Sequence, residues 1–266
     1  MSMGVSRDKG LLEEGRAAGW YLDSPSGFAE PGVQPHFGPD LEFDLSSIRL
    51  QLKLDPEKCW IDGVASVCVR PTPTGMGTVR LDLDEVVVEE VQSAGGGSVE
   101  WTHQEGVLEV KGLVEPTELV IRYHGSPRRG LYFVGPEPAH PERDHQVWSQ
   151  CQDEDGHFFF PCVDHPSVRQ AFQIELVVPA GYKTVANGVL TSCEELEEGW
   201  VRWSWDQEQA IPAYLLTVVV ARLDVHEDSH GDLSVRYLVP PGMEAADVDR
   251  IFGRTPAMIA FFEERF

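Results

Sequence analysis

The sequence predicts a mainly β fold of antiparallel strands, arranged as a sandwich or as curved sheets, with helices near the C-terminus. Polar and apolar residues alternate with a period of two over many short segments, which is typical of half-buried strands. Turn residues separate these segments about every 10 to 15 residues, as in all-β domains. From residue 243 the pattern becomes helical. The 266 residues are enough for one large or two small domains.

The alternation is clearest in residues 47–55. Its apolar and polar side chains fall on opposite faces: Ile48, Leu50, Leu52 and Leu54 on one, and Arg49, Gln51 and Lys53 on the other. Further strands are predicted within residues 62–71, 78–91, 98–112, 117–125, 171–181, 183–195, 199–207, 213–228 and 232–242. Turns are expected at Asp62-Gly63 and Glu105-Gly106, and Asn187-Gly188 indicates a hairpin.

Two segments interrupt this pattern of strands. Residues 125–145 contain four prolines and are predicted to form one long loop, a kind of segment that often carries function. Residues 1–40 are rich in glycine, proline, serine and charge, and are predicted to form an irregular leader. The predicted β domain then spans residues 41–223, and residues 224–266 begin a further domain.

The C-terminal residues predict two helices broken at Gly253. Thr255 is expected to cap the second helix, with Pro256 at its first position. That helix carries four apolar side chains that nothing else in the sequence would cover: Ile259, Phe261, Phe262 and Phe266. We therefore expect a truncated chain whose next domain is missing.

Charge and cysteine content limit the classes of partner. The net charge is −23, from 21 basic and 44 acidic side chains, which argues against nucleic acid or an anionic membrane. No segment approaches the roughly 18 consecutive apolar residues of a membrane span, and the N-terminus lacks the apolar region of a secretory signal. The five cysteines include no C-x-x-C pair, so reduced thiols in a cytoplasmic protein are the simplest explanation.

Three common catalytic motifs bear on the function of this chain. We expect no H-E-x-x-H helix of the metallohydrolase type in this chain, and the sequence contains neither G-x-S-x-G nor G-x-x-x-x-G-K-[ST]. His226 and His230 lie close together, but the three polar residues between them favour a polar turn over a metal site.

The densest group of polar and reactive side chains is QCQDEDGHFFFPCVDHP, residues 150–166. In one interpretation Asp153, Asp155 and His157 share one face of a strand and bind a divalent metal ion, although a solvated acidic turn explains the same residues more simply. In a second, Cys151 and Cys162 form a redox pair, but their neighbours are acidic and nothing nearby lowers a thiol pKa.

The third interpretation assigns the segment to ligand binding. Gln150 and Gln152 would point the same way on an extended segment, and their amide oxygens would accept hydrogen bonds from an N–H or ammonium group of a ligand. The apolar residues that follow would anchor the segment in the core.

Three separated blocks bear on this choice: GLYF at residues 130–133, the stretch 146–190 that contains Ala186-Asn187-Gly188, and residues 205–223 with Ile211-Pro212-Ala213-Tyr214-Leu215. In this order they resemble the N-terminal region of the zinc aminopeptidases of the aminopeptidase N and leukotriene-A-hydrolase type. The resemblance covers roughly residues 42–266, and TPAMIAFFEERF is similar to the helix that opens the family's catalytic domain.

The resemblance implies a saddle-shaped β domain followed by the start of an α/β, thermolysin-like catalytic domain. The segment around Gln150 and Gln152 would reach into the active-site cleft, where Gln152 would contact the free α-amine of a peptide and Gln150 would line the pocket for its first side chain. The residues that support this site would be Cys151, Asp153, Pro161, Asp164 and Pro166. The resemblance also implies a non-proline cis peptide bond between Gln152 and Asp153.

The resemblance further implies that zinc, its H-E-x-x-H ligands and the other catalytic groups lie beyond residue 266. This chain would then hold no metal and no catalytic residue, and it would be inactive alone. Its partners would be peptide N-termini and its own catalytic domain. The alternative is a non-catalytic interaction scaffold, because some relatives keep the β domain and lose the zinc site.

Overall fold

The structure is a computed structural model that describes residues 38–72 and 77–266. The predicted irregular leader, residues 1–40, lies almost entirely outside these ranges. The strands of the described residues are β1 Phe43–Asp55, β2 Trp60–Pro71, β3 Val79–Asp82, β4 Val86–Ser93, β5 Glu100–Gln104, β6 Val107–Lys111, β7 Thr117–Gly125, β8 Gly130–Val134, β9 Gln146–Gln150, β10 Arg169–Pro179, β11 Lys183–Ala186, β12 Val189–Glu195, β13 Trp200–Pro212, β14 Val218–Ala221, β15 Asp224–His230 and β16 Leu233–Val239. Two helices follow, α1 Ala245–Phe252 and α2 Thr255–Arg265.

The strands form several sheets, which confirms the mainly β prediction. A seven-stranded sheet has the order β12-β13-β10-β1-β2-β7-β4, and a four-stranded sheet has the order β11-β14-β9-β8. Strands β3, β6 and β5 form a third sheet, and β15 and β16 pair as a hairpin. The prediction of antiparallel pairing is wrong at one place, because β1 and β10 run parallel. Parallel neighbours need a long connection, which β2 to β9 supply here.

The main core lies on one face of the seven-stranded sheet. Ile48, Leu50, Leu52 and Leu54 of β1 are all at most 1% exposed, whereas the polar side chains between them face solvent. The alternation predicted for this strand is therefore confirmed. Phe172 and Ile174 of the parallel partner β10 are fully buried beside it.

Only one of the three predicted turns is confirmed. Glu105-Gly106 joins β5 to β6 with φ values of 51° and 75°, as a tight hairpin turn requires. Asp62-Gly63 lies inside β2, and the turn falls at residues 56–59 instead. A Cβ atom at Gly63 would lie 2.3 Å from the ring of Tyr123, so this glycine makes room for an aromatic side chain.

The hairpin predicted at Asn187-Gly188 is also wrong. These two residues connect β11 of the four-stranded sheet to β12 of the seven-stranded sheet, and the two strands do not pair with each other. A second correction concerns residues 125–145, predicted to be one loop. They contain β8, which forms because residues 130–134 pair with β9 throughout their length.

The C-terminal residues form two helices with the break at Gly253, as predicted. Thr255 does not cap the second helix from outside: it is the first helical residue, and its hydroxyl donates to the Phe252 carbonyl at 2.7 Å. Phe261, Phe262 and Phe266 are 50%, 58% and 99% exposed. Within residues 38–72 and 77–266, no helix has the length and apolar content needed to cross a membrane.

Candidate functional site

The segment that begins at Gln150 leaves the four-stranded sheet at the end of β9. Gln150 pairs with Gly130 of β8, and it is exposed. Cys151 is 1% exposed, and Gln152 is exposed again. The two glutamine side chains therefore flank a buried residue that fixes the backbone between them.

Cys151 fastens the segment to the residues before β14. Its Sγ lies 3.4 Å from the Leu216 carbonyl oxygen and 4.0 Å from the Gly130 carbonyl oxygen. Burial, with the charges of Asp164 and Asp155, raises the pKa of the Cys151 thiol to about 12. Burial also raises the pKa of Cys162, and neither residue is in a disulfide. Protonated, enclosed thiols do not fit the redox interpretation.

The backbone turns sharply after Gln152. The peptide bond between Gln152 and Asp153 is cis, which confirms the expectation drawn from the family resemblance. The Asp155 amide donates to the Cys151 carbonyl at 2.8 Å, and residues 156–158 continue as one turn of 3₁₀-helix. The hydrogen bond from Asp155 back to Cys151 thus closes a short turn, and Gln152 lies exposed within it.

The loop fits against β8 through a glycine. Gly130, the first residue of GLYF, has a φ of +70° and passes directly under the Asp155 carbonyl, so that no side chain would fit there. A positive φ disfavours residues with a Cβ atom, and the close approach excludes one altogether. This explains in physical terms why a glycine begins the first resembling block.

The metal interpretation of Asp153, Asp155 and His157 required a strand, and these residues lie in a turn and a 3₁₀-helix instead. Throughout the described part of the chain, no three His, Cys, Asp or Glu side chains are grouped so that they could hold a metal ion.

The prediction of a polar turn at residues 226–230 is wrong. They read His-Glu-Asp-Ser-His, so the letters H-E-x-x-H do occur in the chain, although they are not on a helix. They lie on strand β15 rather than in the predicted polar turn, and the chain turns after them at Gly231. On a strand, residues four apart are separated by about 13 Å, too far for one zinc ion. His230 is bonded to Glu263 at 2.8 Å instead.

His157 bonds with a buried carboxylate on the far side of its own loop. One oxygen of Asp164 lies 3.0 Å from the His157 backbone amide and 3.0 Å from its ring Nδ1. The Asp164 side chain is only 3% exposed. We call these two hydrogen bonds the His157–Asp164 clamp. They close the chain over seven residues and hold both the backbone and the side chain of His157.

The clamp is joined to the end of β3. The Asp164 amide donates to a carboxylate oxygen of Asp82 at 2.9 Å. Asp82 and Cys162 exchange backbone hydrogen bonds of 2.7 and 3.2 Å, and the Asp84 amide donates to the His157 carbonyl at 2.9 Å. The loop is therefore held between two sheets, with three carboxylates close to the imidazole of His157.

These carboxylates control the charge of His157. Burial opposes the charged form, but the hydrogen bond and charge of Asp164, together with the charges of Asp82 and Asp84, outweigh it. The pKa of His157 is consequently raised above its usual value of 6.5. The aromatic ring of Phe158 lies 4.1 Å from the imidazole, and the guanidinium of Arg129 lies 3.7 Å from that ring on the same loop surface.

The remaining predicted supporting residues divide by burial. Pro161 is buried beside Phe159 and Phe160, which are fully enclosed in the core. Asp153 and Pro166 are exposed. Cys151, Asp164 and Pro161 are thus buried, whereas Asp153 and Pro166 lie at the surface. The assignment of all seven residues to a site stays a prediction.

Two polar residues outside the predicted site set, Ser149 and Asn187, hold the end of β9 and residues 215–218 in place. Ser149 accepts from the Val218 amide at 2.8 Å and donates to the Leu216 carbonyl at 3.0 Å. Asn187 donates to the Leu215 carbonyl at 3.1 Å and accepts from the Thr217 amide at 2.6 Å. The sequence held a signal for Asn187. This residue belongs to Ala186-Asn187-Gly188 and bonds to Leu215 at the end of Ile211-Pro212-Ala213-Tyr214-Leu215, and both groups carry the family resemblance.

An aromatic pair lies on the same face of the sheet as Gln150. Tyr132 pairs with Trp148 across β8 and β9, two residues from the pair formed by Gly130 and Gln150. The two rings stack with centroids 4.8 Å apart, and Trp148 is 38% exposed. Gln150 is therefore the polar end of a partly exposed apolar strip.

Comparison with known proteins identifies related sequences. Residues 44–215 match the family described as Peptidase M1 N-terminal domain. The chain is 23% identical over 188 residues to Probable aminopeptidase 1 of Saccharolobus solfataricus, and 23% identical over 122 residues to Aminopeptidase Ey of Gallus gallus. These matches cover 70% and 44% of this chain but only 24% and 13% of the relatives.

Solved structures agree in fold. An M1 zinc metallopeptidase variant from Deinococcus radiodurans, bound to the substrate Tyr-Ser-Ala, is 24% identical with a TM-score of 0.63, over 77% of this chain and 49% of that one. Native yeast LTA4 hydrolase is 21% identical with a TM-score of 0.60, over 73% and 31% of the two chains. Since the family match spans well over half of the sequence, the chain belongs to the Peptidase M1 N-terminal domain family.

Proposed function

We propose that this chain is the N-terminal, substrate-positioning domain of a zinc-dependent aminopeptidase, which removes residues from the N-termini of peptides. The observation that carries the proposal is the exposed pair Gln150 and Gln152 on either side of buried Cys151. Family membership supports the reaction class, because the relatives are named as aminopeptidases and zinc metallopeptidases. The chain spans a quarter or less of those curated relatives, so the activity belongs to the whole polypeptide.

The two glutamines would act by hydrogen bonding. The amide oxygen of Gln152 accepts hydrogen bonds from the ammonium group of a peptide N-terminus, and Gln150 lines the space for the first side chain. A carbonyl dipole attracts an ammonium group less strongly than a carboxylate does, because hydrogen bonds to ionised acceptors are about twice as strong. Fixing the amine sets the distance to the scissile bond, which contributes to the rate through positioning.

Zinc does not fit the residues of this chain that the structure describes. No group of three suitable ligands is formed there, and the only H-E-x-x-H letters lie on strand β15. On the family resemblance, we assign the metal and the chemical step to another part of the parent polypeptide, and the exposed phenylalanines of α2 to contact with that further domain. Residues 224–266 would be the start of it.

The first test uses this chain alone. Purified protein is mixed with aminoacyl-p-nitroanilides, with and without added zinc, and release of p-nitroaniline is measured. We expect no turnover above the buffer rate in either case. Zinc-dependent turnover by this chain would overturn the assignment of the chemical step to other residues.

The second test uses the parent polypeptide, which is the full-length product of the gene that encodes this chain. Gln152→Glu is expected to lower KM for aminoacyl-p-nitroanilides about tenfold, and Gln152→Ala to raise it about tenfold, because one hydrogen bond to a charged group is worth roughly 1.5–3 kcal/mol. The N-acetylated substrate, which has no ammonium group, should not distinguish the variants. Gln209→Ala, an exposed glutamine of β13, is the matched control.

The same experiment separates the alternative function. A parent polypeptide that binds peptides or proteins but shows no turnover with any aminoacyl-p-nitroanilide would be the non-catalytic scaffold. For either function we expect a cytoplasmic location, with peptide N-termini or proteins rather than nucleic acid or membrane as partners. The net charge of −23 and the reduced cysteines are the observations that support this expectation.

A further inference from the structure

We infer that His157 is a positioning residue for the proposed amine site, and that its charge, held by Asp164, fixes the loop that presents Gln152. The inference rests on the proposed function for the role of Gln152, but the loop geometry on which it depends is independent of any substrate. In this proposal Gln152 contacts the substrate amine, whereas His157 does not and acts only through the backbone of the loop.

The loop between Cys151 and Asp164 is held at several points, which include the Asp84 amide at the His157 carbonyl and the backbone pair of Asp82 and Cys162. At its start, the Asp155 amide is bonded to the Cys151 carbonyl at 2.8 Å. At its end, the His157–Asp164 clamp ties residue 157 to a carboxylate that is 3% exposed. Gln152 lies within the first fastening, and the second begins two residues after the first ends, at His157. The clamp therefore acts on Gln152 through the backbone of residues 155–157, and it is the fastening that contains a side chain that titrates near neutral pH.

The charges around His157 are almost all negative. Asp164 faces it from the end of the loop, and Asp82 and Asp84 face it from the residues between β3 and β4. A cation lies on the neighbouring aromatic ring: Arg129 is stacked on Phe158 and paired with Glu85 at 3.4 Å. A protonated imidazole makes a charge-assisted hydrogen bond to Asp164, and its positive charge is also favoured by the charges of Asp82 and Asp84.

Loss of the proton would loosen the clamp without breaking it. A neutral imidazole can still donate one N–H to Asp164, but the bond is then neutral on the donor side and weaker. Because burial of Asp164 is nearly complete, its carboxylate gains little from water in compensation. Gln152 should therefore be held in its binding position while His157 is charged, and become less ordered as the pH rises through the pKa of His157.

The direct test is an NMR titration of this chain, labelled with ¹⁵N and ¹³C, without substrate. His157 should titrate above its ordinary pKa, and the backbone and side-chain amide signals of Gln152 should shift with the same midpoint. In His157→Gln that pH-dependent shift of Gln152 should disappear. A Gln152 signal that follows no histidine, or a His157 that titrates at or below its ordinary pKa, would overturn the inference.

Two further variants separate positioning from folding. His157→Arg keeps a permanent cation beside Asp164, and it should keep Gln152 ordered while removing the pH dependence. His124→Gln removes another histidine with a carboxylate partner, Glu89 at 2.9 Å on the seven-stranded sheet, and it should leave the Gln152 titration unchanged. If His157→Arg behaves like His157→Gln, the charge of the residue is not what positions the loop.

The parent polypeptide gives the functional readout. KM for an aminoacyl-p-nitroanilide should rise about tenfold between the pH at which His157 is charged and the pH at which it is neutral, the size expected for weakening one charge-assisted hydrogen bond. His157→Arg should flatten this KM profile, with kcat little changed. A parent with no activity would contradict the proposed function only, whereas an active parent whose KM profile is unchanged in His157→Arg would contradict the inference only.

Discussion

A Cβ atom added to Gly130 would lie 1.9 Å from the carbonyl oxygen of Asp155. The backbone of β8 and the backbone of the loop between Cys151 and Asp164, the Gln152 loop, are thus in direct contact, with no side chain between them. Gly130 also has a φ of +70°, so two separate requirements, conformation and space, both demand glycine.

Gly130→Ala should consequently destabilise the protein strongly. The left-handed backbone alone costs an alanine about 1–2 kcal/mol, and displacement of the loop adds to this, for about 3 kcal/mol or more in total. Urea unfolding measures the loss. Gly181→Ala is the matched control, because Gly181 has a φ of +92° but no atom within 4 Å of an added Cβ. Equal losses in the two variants would show that the contact with Asp155 has no energetic weight.

Tyr123→Phe should leave the protein as stable as before or make it more stable, by up to about 1 kcal/mol. The ring of Tyr123 lies over Gly63, and its buried hydroxyl has no hydrogen-bond partner among residues 38–72 and 77–266. Removing an unpartnered buried hydroxyl removes a desolvation cost. Tyr237→Phe should instead lose about 1 kcal/mol, since the Tyr237 hydroxyl donates to Asp228 at 3.1 Å. A large loss of stability in Tyr123→Phe would reveal a partner for its hydroxyl.

The cysteines should differ in reactivity according to burial. Iodoacetamide at about pH 8 should label the exposed Cys59 readily, and Cys193 more slowly because burial and Glu195 raise the pKa of its thiol. Cys151 and Cys162 should stay unlabelled until the protein unfolds, as their raised pKa values and enclosure require. Mass spectrometry of tryptic peptides gives the extents, and labelling in guanidinium is the control. Early labelling of Cys151 would show that the Gln152 loop opens in the native state.

The free energy of unfolding should depend on pH through His157. Its folded pKa is raised above 6.5, so the folded state binds the proton more tightly than the unfolded state does. This contribution is complete below about pH 6.5 and is lost as the pH rises through the folded pKa. Urea unfolding from about pH 6 to pH 9 should show wild-type stability falling relative to His157→Gln. A constant difference between the two proteins would contradict the raised pKa.

Many strands of this fold were predictable, because strands such as β1 and β10 alternate buried and more exposed residues over their own length. Leu50 and Leu52 are buried where the pattern puts them. The errors arose where a residue serves a contact distant in sequence. Gly63 suggested a turn but makes room for Tyr123, and Asn187 suggested a hairpin but bonds to Leu215 and Thr217.

The candidate site shows the same division. The exposure of Gln150 and Gln152 around buried Cys151 follows from local alternation, and the resemblance pointed to the same segment. The His157–Asp164 clamp was not predictable from the pattern, because its partners are seven residues apart across an irregular loop and Asp82 approaches from a strand 82 residues earlier in the chain. The letters H-E-x-x-H at residues 226–230 are the opposite case. The sequence pattern is present, but it lies on strand β15 and not on the helix that brings both histidines to one zinc ion.

The parallel pairing of β1 with β10 has a consequence for how the chain is made. One edge of β1 is covered early by its neighbour in sequence, β2, whereas the other edge must wait for residues 169–179 to leave the ribosome. Until then a long strand with a fully apolar face has unpaired backbone groups, which is a template for aggregation. Closure of such a sequence-distant contact is slow. Nascent chains released before β10 should therefore depend on chaperones far more than the finished domain does.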